Sequence, residues 1–141
     1  MRIVIDSNRV LAAMIKDSTT REILLDSFFA FIAPDFILTE VRKQKERVLQ
    51  ATGLTENGFG VFLKIIFDQI EIIPEREYNE FIESLQGDIH DSDDIAYLAC
   101  CLVSKAHGIW THDPHFNDQQ QVNVFTNIDM LRFSGKSRSN W

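Results

Sequence analysis

Arg2-Ile3-Val4-Ile5-Asp6-Ser7-Asn8 is a short β-branched run that stops at an acid. The pattern predicts a buried strand with Asp6 at its carboxyl end. Similar short apolar runs recur along the chain. Phe29-Ala30-Phe31-Ile32 ends before Pro34, and Ile70-Glu71-Ile72-Ile73 before Pro74. Ile109-Trp110-Thr111 follows Gly108, which we read as a helix stop, and Val122-Asn123-Val124-Phe125 comes last. Helical periodicity fills residues 19–28, 35–50, 55–69, 75–85 and 92–107 between them. Short strands alternating with helices predict an α/β fold: a central, mainly parallel sheet of four to five strands in a three-layer α/β/α arrangement. In such folds ligands sit beyond the carboxyl ends of the strands.

Bulk properties bound the class. The chain has 141 residues, 45% hydrophobic and 25% charged, which suits one domain with its own core. We assign residues 1–133 to that domain and the polar, serine-rich residues 134–141 to a C-terminal tail. No apolar run approaches the roughly 20 residues that span a bilayer. The start lacks a secretory h-region and cleavage site, so the expected location is cytoplasmic. Cys100 and Cys101 are adjacent within an apolar helical stretch, which reads as buried thiols rather than a disulfide or zinc framework. The formal net charge of −7 argues against a protein that coats nucleic acid by bulk electrostatics. An acidic site holding cations that face phosphates is compatible with it.

Acids fall where the sheet rule looks for them. Asp6 ends the first strand, and Asp113 follows Thr111 by two residues. Asp94 lies in the first turn of a helix whose apolar stripe is Ile95, Leu98, Ala99, Leu102 and Val103, so it borders the buried face at the same edge. Glu40 stands four residues after Phe36 and three after Ile37 on the inward side of an early helix turn. Each acid also has a plain reading. Asp6 can be a turn residue and Glu40 a solvated charge, while Asp91 can cap the helix with Asp94 as its reciprocal partner. Convergence of the four is what favours a site. Clustered carboxylates raise one another's pKa unless a cation neutralises them. An oxygen-rich set without a Cys/His cluster suits Mg²⁺ or Mn²⁺.

These segments resemble a known family. Ile3-Val4-Ile5-Asp6-Ser7-Asn8 resembles the opening strand-Asp-Ser/Thr-Asn motif of PIN domains, and Thr39-Glu40-Val41 their early helix glutamate. Asp91-Ser92-Asp93-Asp94-Ile95-Ala96-Tyr97-Leu98-Ala99 is similar to their acid-rich helix start. Ile109-Trp110-Thr111-His112-Asp113-Pro114-His115-Phe116 is similar to the strand-Thr-x-Asp-x-x-Phe segment that follows. The four occur in order over nearly the whole chain, closest to VapC-like toxins of toxin–antitoxin pairs. The resemblance implies a Mg²⁺- or Mn²⁺-dependent endoribonuclease. Asp6, Glu40, Asp94 and Asp113 would hold metal and orient water, with Ser7, Asn8 and Asp91 in support. It also implies an antitoxin partner and a homodimer. A PIN-type nuclease in RNA processing without an antitoxin, or a non-catalytic PIN-fold binding module, are the alternatives. Two positions depart from the pattern: Arg9 replaces a small or branched apolar residue, and His115 a further acid, which leaves a second metal open. A phosphotransfer domain would need a second acid beside Asp6 and a lysine after the last strand, and neither is present.

For RNA contacts the candidates are Arg9, Arg42 and Lys43, with Lys16 and Arg21 on the same rim; the plain reading of the 42–47 run is a solvated helix face. The segment from Phe59 to Phe67 is apolar nearly all round. It reads either as a central core helix or as a groove for a second copy or an antitoxin.

Overall fold

The computed structural model describes residues 1–15, 18–85 and 92–135. Lys16, Asp91 and the tail beyond Gly135 lie outside the described residues. Five parallel strands, β1 (Arg2–Ile5), β2 (Ala30–Pro34), β3 (Ile70–Ile73), β4 (Gly108–Trp110) and β5 (Val124–Phe125), form one sheet in the order β3-β2-β1-β4-β5. Ile3, Val4 and Ile5 have no exposed surface, as befits a central strand covered on both faces.

The helices are α1 (Ser7–Ile15), α2 (Ser18–Leu24), α3 (Ile37–Lys43), α4 (Lys45–Thr52), α5 (Glu56–Phe67), α6 (Glu75–Tyr78), α7 (Ile82–Leu85), α8 (Ser92–Ser104) and α9 (Asn127–Phe133). α8 packs on β1, β2 and β4, with α6 and α7 against it; α1 packs on α2, α3 and α4, and α2 on α9. The sheet is thus the middle of three layers, as the alternation predicts. Among the described residues no helix is long and apolar enough to cross a membrane.

Several elements differ from the sequence reading. α1 and α9 are not anticipated. α1 starts directly after Asp6, whose carbonyl accepts from the Arg9 and Val10 N–H groups. α9 opens with a capping box, in which Thr126 and Asp129 exchange side-chain and backbone hydrogen bonds. The single helix expected over 35–50 is two. Gln44 breaks it with ψ at 10°, its N–H turning back to Val41 rather than one residue further.

Gly108 does not stop α8. The positive φ there belongs to Lys105, at 54°. Gly108 opens β4, and a Cβ on it would stand 2.5 Å from the Phe125 ring and 2.6 Å from the Asn123 carbonyl. The glycine lets β5 approach. The central helix is α8, buried continuously from Ile95 to Cys101. α5 lies against β3 and α4 at the sheet's edge. It buries Phe59, Leu63 and Ile66 and leaves Val61 and Ile65 exposed. Burial pushes the Cys100 thiol up, helped by its neighbour, and pushes Cys101 up to about 12, so both stay protonated and inert.

The strand order reverses at β1. The chain leaves β1 for β2 on one side and returns to β4 on the other, which opens a crevice beyond the carboxyl ends of β1 and β4.

Candidate functional site

A cleft of about 330 Å³ occupies that crevice, lined by Asp6, Ser7, Asn8, Glu40, Asp94 and Asp113 together with Asp93, Lys43, Arg47 and Tyr97. Asp6, Glu40, Asp94 and Asp113 come from four different segments, and Asp93 shares α8 with Asp94. Asp6 leaves β1 and caps α1, accepting the Asn8 backbone N–H. It is only 4% exposed. Its Oδ2 accepts a 2.7 Å hydrogen bond from the Thr111 hydroxyl, and the same Thr111 oxygen accepts the Asp113 N–H at 3.0 Å. Thr111 therefore ties the carboxyl ends of β1 and β4 into one unit. The Ser7 hydroxyl lies 3.5 Å from Asp6 Oδ1, a long and weak contact.

Burial raises the Asp6 pKa above its ordinary value, and the Asp113 charge adds to the rise. The Thr111 and Asn8 hydrogen bonds and the Arg9 charge oppose it without cancelling it.

Asp113 caps the short 3₁₀ turn Pro114–Asp118. Its Oδ1 accepts the His115 N–H at 3.0 Å and lies 3.4 Å from His115 Nδ1. Asp94 sits in the first turn of α8. One donor atom from each of Asp94, Asp113 and His115 lies within 4.8 Å of the others. A Mg²⁺ ion takes oxygen ligands at about 2.0–2.1 Å, so two donors on opposite sides of it stand about 4.2 Å apart; three donors within 4.8 Å of one another can share one ion after a small side-chain adjustment. The chemistry agrees: two carboxylates and an imidazole form a hard-to-borderline set, and Asp6 adds a buried carboxylate that lacks full compensation. The residues fit a divalent cation. Asp6 and Glu40 line the cleft outside this tightest group.

Glu40, in the first turn of α3, accepts a 2.6 Å hydrogen bond from the Tyr97 hydroxyl. Burial raises the Tyr97 pKa far above the phenol range, and the Glu40 and Asp6 charges raise it further. Tyr97 is therefore a permanent donor, held between the rings of Phe36 and Phe116. Sequence reasoning misses it as a site residue. Its signal was the i+3 spacing from Asp94, which puts both on one helix face.

The basic candidates separate. Lys43 lines both the cleft and a second groove beside Lys45 and Glu56, whereas Arg42 lines only the second groove. Arg9 lines a groove adjoining the cleft, and Arg47, the last residue of the basic 42–47 run, lines both. Arg21 donates to the Ala13 carbonyl and lies over the Phe62 ring. Spacing accounts for the place of Lys43, which stands three residues after Glu40 on α3 and shares its face, while Arg42 stands two after it.

One more acid, Asp35, ends β2 at the same edge but has a structural role. Its carboxylate accepts the Glu75 N–H and the Tyr78 hydroxyl, both at 3.1 Å. That ties β2 to the start of α6.

A parallel α/β sheet with an acidic, cation-suited cleft at its switch point defines a nuclease-type architecture. A family model described as PIN domain matches residues 4–123, and the chain belongs to the PIN domain family, whose members are generally metal-dependent nucleases. No curated protein matches it.

Proposed function

We propose that this chain is a Mg²⁺- or Mn²⁺-dependent endoribonuclease that hydrolyses phosphodiester bonds. The observation that carries the reading is the convergence of Asp6, Glu40, Asp94 and Asp113 on one cleft. Asp94, Asp113 and Asp6 would hold the cation, with the exposed His115 tilting the set toward Mn²⁺. When bound, such a cation supplies Lewis acidity at a phosphoryl oxygen and lowers the pKa of water. Glu40, fixed by Tyr97, orients the attacking water and accepts its proton. Lys43 and Arg47 offset charge on the substrate phosphates, and Ser7 and Asn8 hold Asp6 and the start of α1 in place.

Within this class we read the protein as a cytoplasmic toxin of a toxin–antitoxin pair, formed by residues 1–133. The support is the four-segment resemblance to VapC-like toxins. An antitoxin protein and a second copy are the expected partners, and the exposed Val61 and Ile65 on α5 are compatible with such contacts.

Cleavage of single-stranded RNA in Mn²⁺ tests the activity. Wild type is expected to cut, and Asp94→Asn to lose on the order of 10³-fold in rate. Equal rates, or a wild type inert toward RNA at every Mn²⁺ concentration, would overturn it.

A further inference from the structure

We propose that the groove leading from the acidic cleft along α1 seats a nucleobase of the strand being cut. This rests on the ribonuclease reading and extends it to how the substrate is held. The groove has a volume of about 480 Å³, larger than the cleft, and the two share Asn8, Leu11, Arg47 and Asp113. The two cavities adjoin across these shared residues. That volume is ordinary for a cavity receiving a small ligand.

The two halves differ in chemistry. Carboxylates dominate the cleft. The floor of the groove is one face of α1, where Leu11, Ala12 and Ile15 follow Asn8 at i+3, i+4 and i+7. His112 and Pro114, from the loop after β4, form the facing wall. An aliphatic floor facing a proline is suited to the flat apolar face of a base, as in other single-strand sites. The acidic cleft would repel the acceptor-rich edges of a base.

The polar groups of the groove are held in place. Arg9 Nη1 lies 3.5 Å from the Thr20 hydroxyl, which accepts a 3.0 Å bond from the Asn127 side-chain amide. The Asn127 backbone N–H donates to His112 Nε2 at 3.1 Å. Acceptance at Nε2 leaves the His112 ring proton on Nδ1, as a donor. Arg9 and Arg47 place positive charge along a groove in a chain of net charge −7, which complements a phosphate-linked strand. With a phosphate at the acidic cleft, the neighbouring nucleotide would lie over the α1 floor.

Ala12 is the residue to change, since its small, half-buried side chain gives the floor its depth. Ala12→Phe would fill the groove. The KM for a single-stranded RNA oligonucleotide and for bis(p-nitrophenyl) phosphate, a diester with neither base nor ribose, is measured in Mn²⁺. The RNA KM is expected to rise at least tenfold more than that of the small diester. Equal changes on both, or no change on RNA, would overturn the proposal. Fluorescence anisotropy of labelled RNA in EDTA reads the groove without catalysis. At least tenfold weaker binding by Ala12→Phe supports the groove even if wild type proves inactive, an outcome that removes only the ribonuclease reading; unchanged affinity contradicts it. Ala12→Glu, which adds charge rather than bulk, replaces Ala12→Phe in both assays if circular dichroism shows that Ala12→Phe does not fold.

Discussion

Asp6→Asn is expected to abolish hydrolysis and to stabilise the metal-free protein. The loss should reach the order of 10³-fold or more, as expected when a metal-bearing carboxylate is removed. The gain follows from burial. Asp6 has 4% exposure and a raised pKa, caused first by desolvation and increased by Asp113. An acid whose folded pKa exceeds its unfolded one binds more protons in the native state. Folding stability then falls as pH rises through that interval.

The asparagine keeps an oxygen for the Thr111 hydroxyl while removing the charge. At neutral pH and without metal it should gain on the order of 1 kcal/mol, a Tm increase of roughly 3–5 °C. The advantage should disappear below the ordinary Asp value of 3.8, where both states of the wild type are protonated. Thermal unfolding at neutral and acid pH in EDTA checks this. Lower stability of the variant at neutral pH would mean that Asp6 serves the fold rather than a cation. Saturating Mn²⁺ should reverse the order, stabilising wild type by about 2.7 kcal/mol at 100 times its Kd and the variant far less.

Trp110→Ala should cost the most stability of any single change considered. The indole has no exposed surface, lies 5.5 Å from the Phe31 ring and donates to the Asn127 side-chain oxygen at 2.8 Å. Large-to-small changes at such aromatics cost about 3–5 kcal/mol, and the Asn127 acceptor would be left without its donor. The expected Tm drop is roughly 10–20 °C, read by circular dichroism. A loss below about 1 kcal/mol would contradict the packing described. Trp110 immediately precedes Thr111, the residue joining Asp6 to the Asp113 backbone, so residual activity should fall at temperatures below the global transition.

The strongest local signals in the sequence led to the fold. β1 is an apolar run with a sharp end and is buried on both faces, and β3, at the sheet's edge, ends as sharply at Pro74. Asp6 and Asp113 were legible as strand-end residues, and Asp94 and Glu40 as acids bordering apolar helix stripes. What was not legible depends on tertiary contact. Gly108 looks like a helix stop until Phe125 and Asn123 are seen beside it. Tyr97 looks like a core aromatic, which it is, and only the approach of α3 makes its hydroxyl a partner for Glu40. Gln44 has no local signature of a helix break. The apolar run in α5 has too little polar contrast to distinguish an edge helix from a central one. α9 was legible in principle, since Thr126 and Asp129 have capping-box spacing.

The cation itself is the central claim. Anomalous diffraction from crystals grown in Mn²⁺ would locate it directly. The peak should lie at direct-coordination distance, about 2 Å, from carboxylate oxygens of Asp94 and Asp113, inside the cleft that Asp6 and Glu40 also line. A peak elsewhere, or none at saturating Mn²⁺, would contradict it.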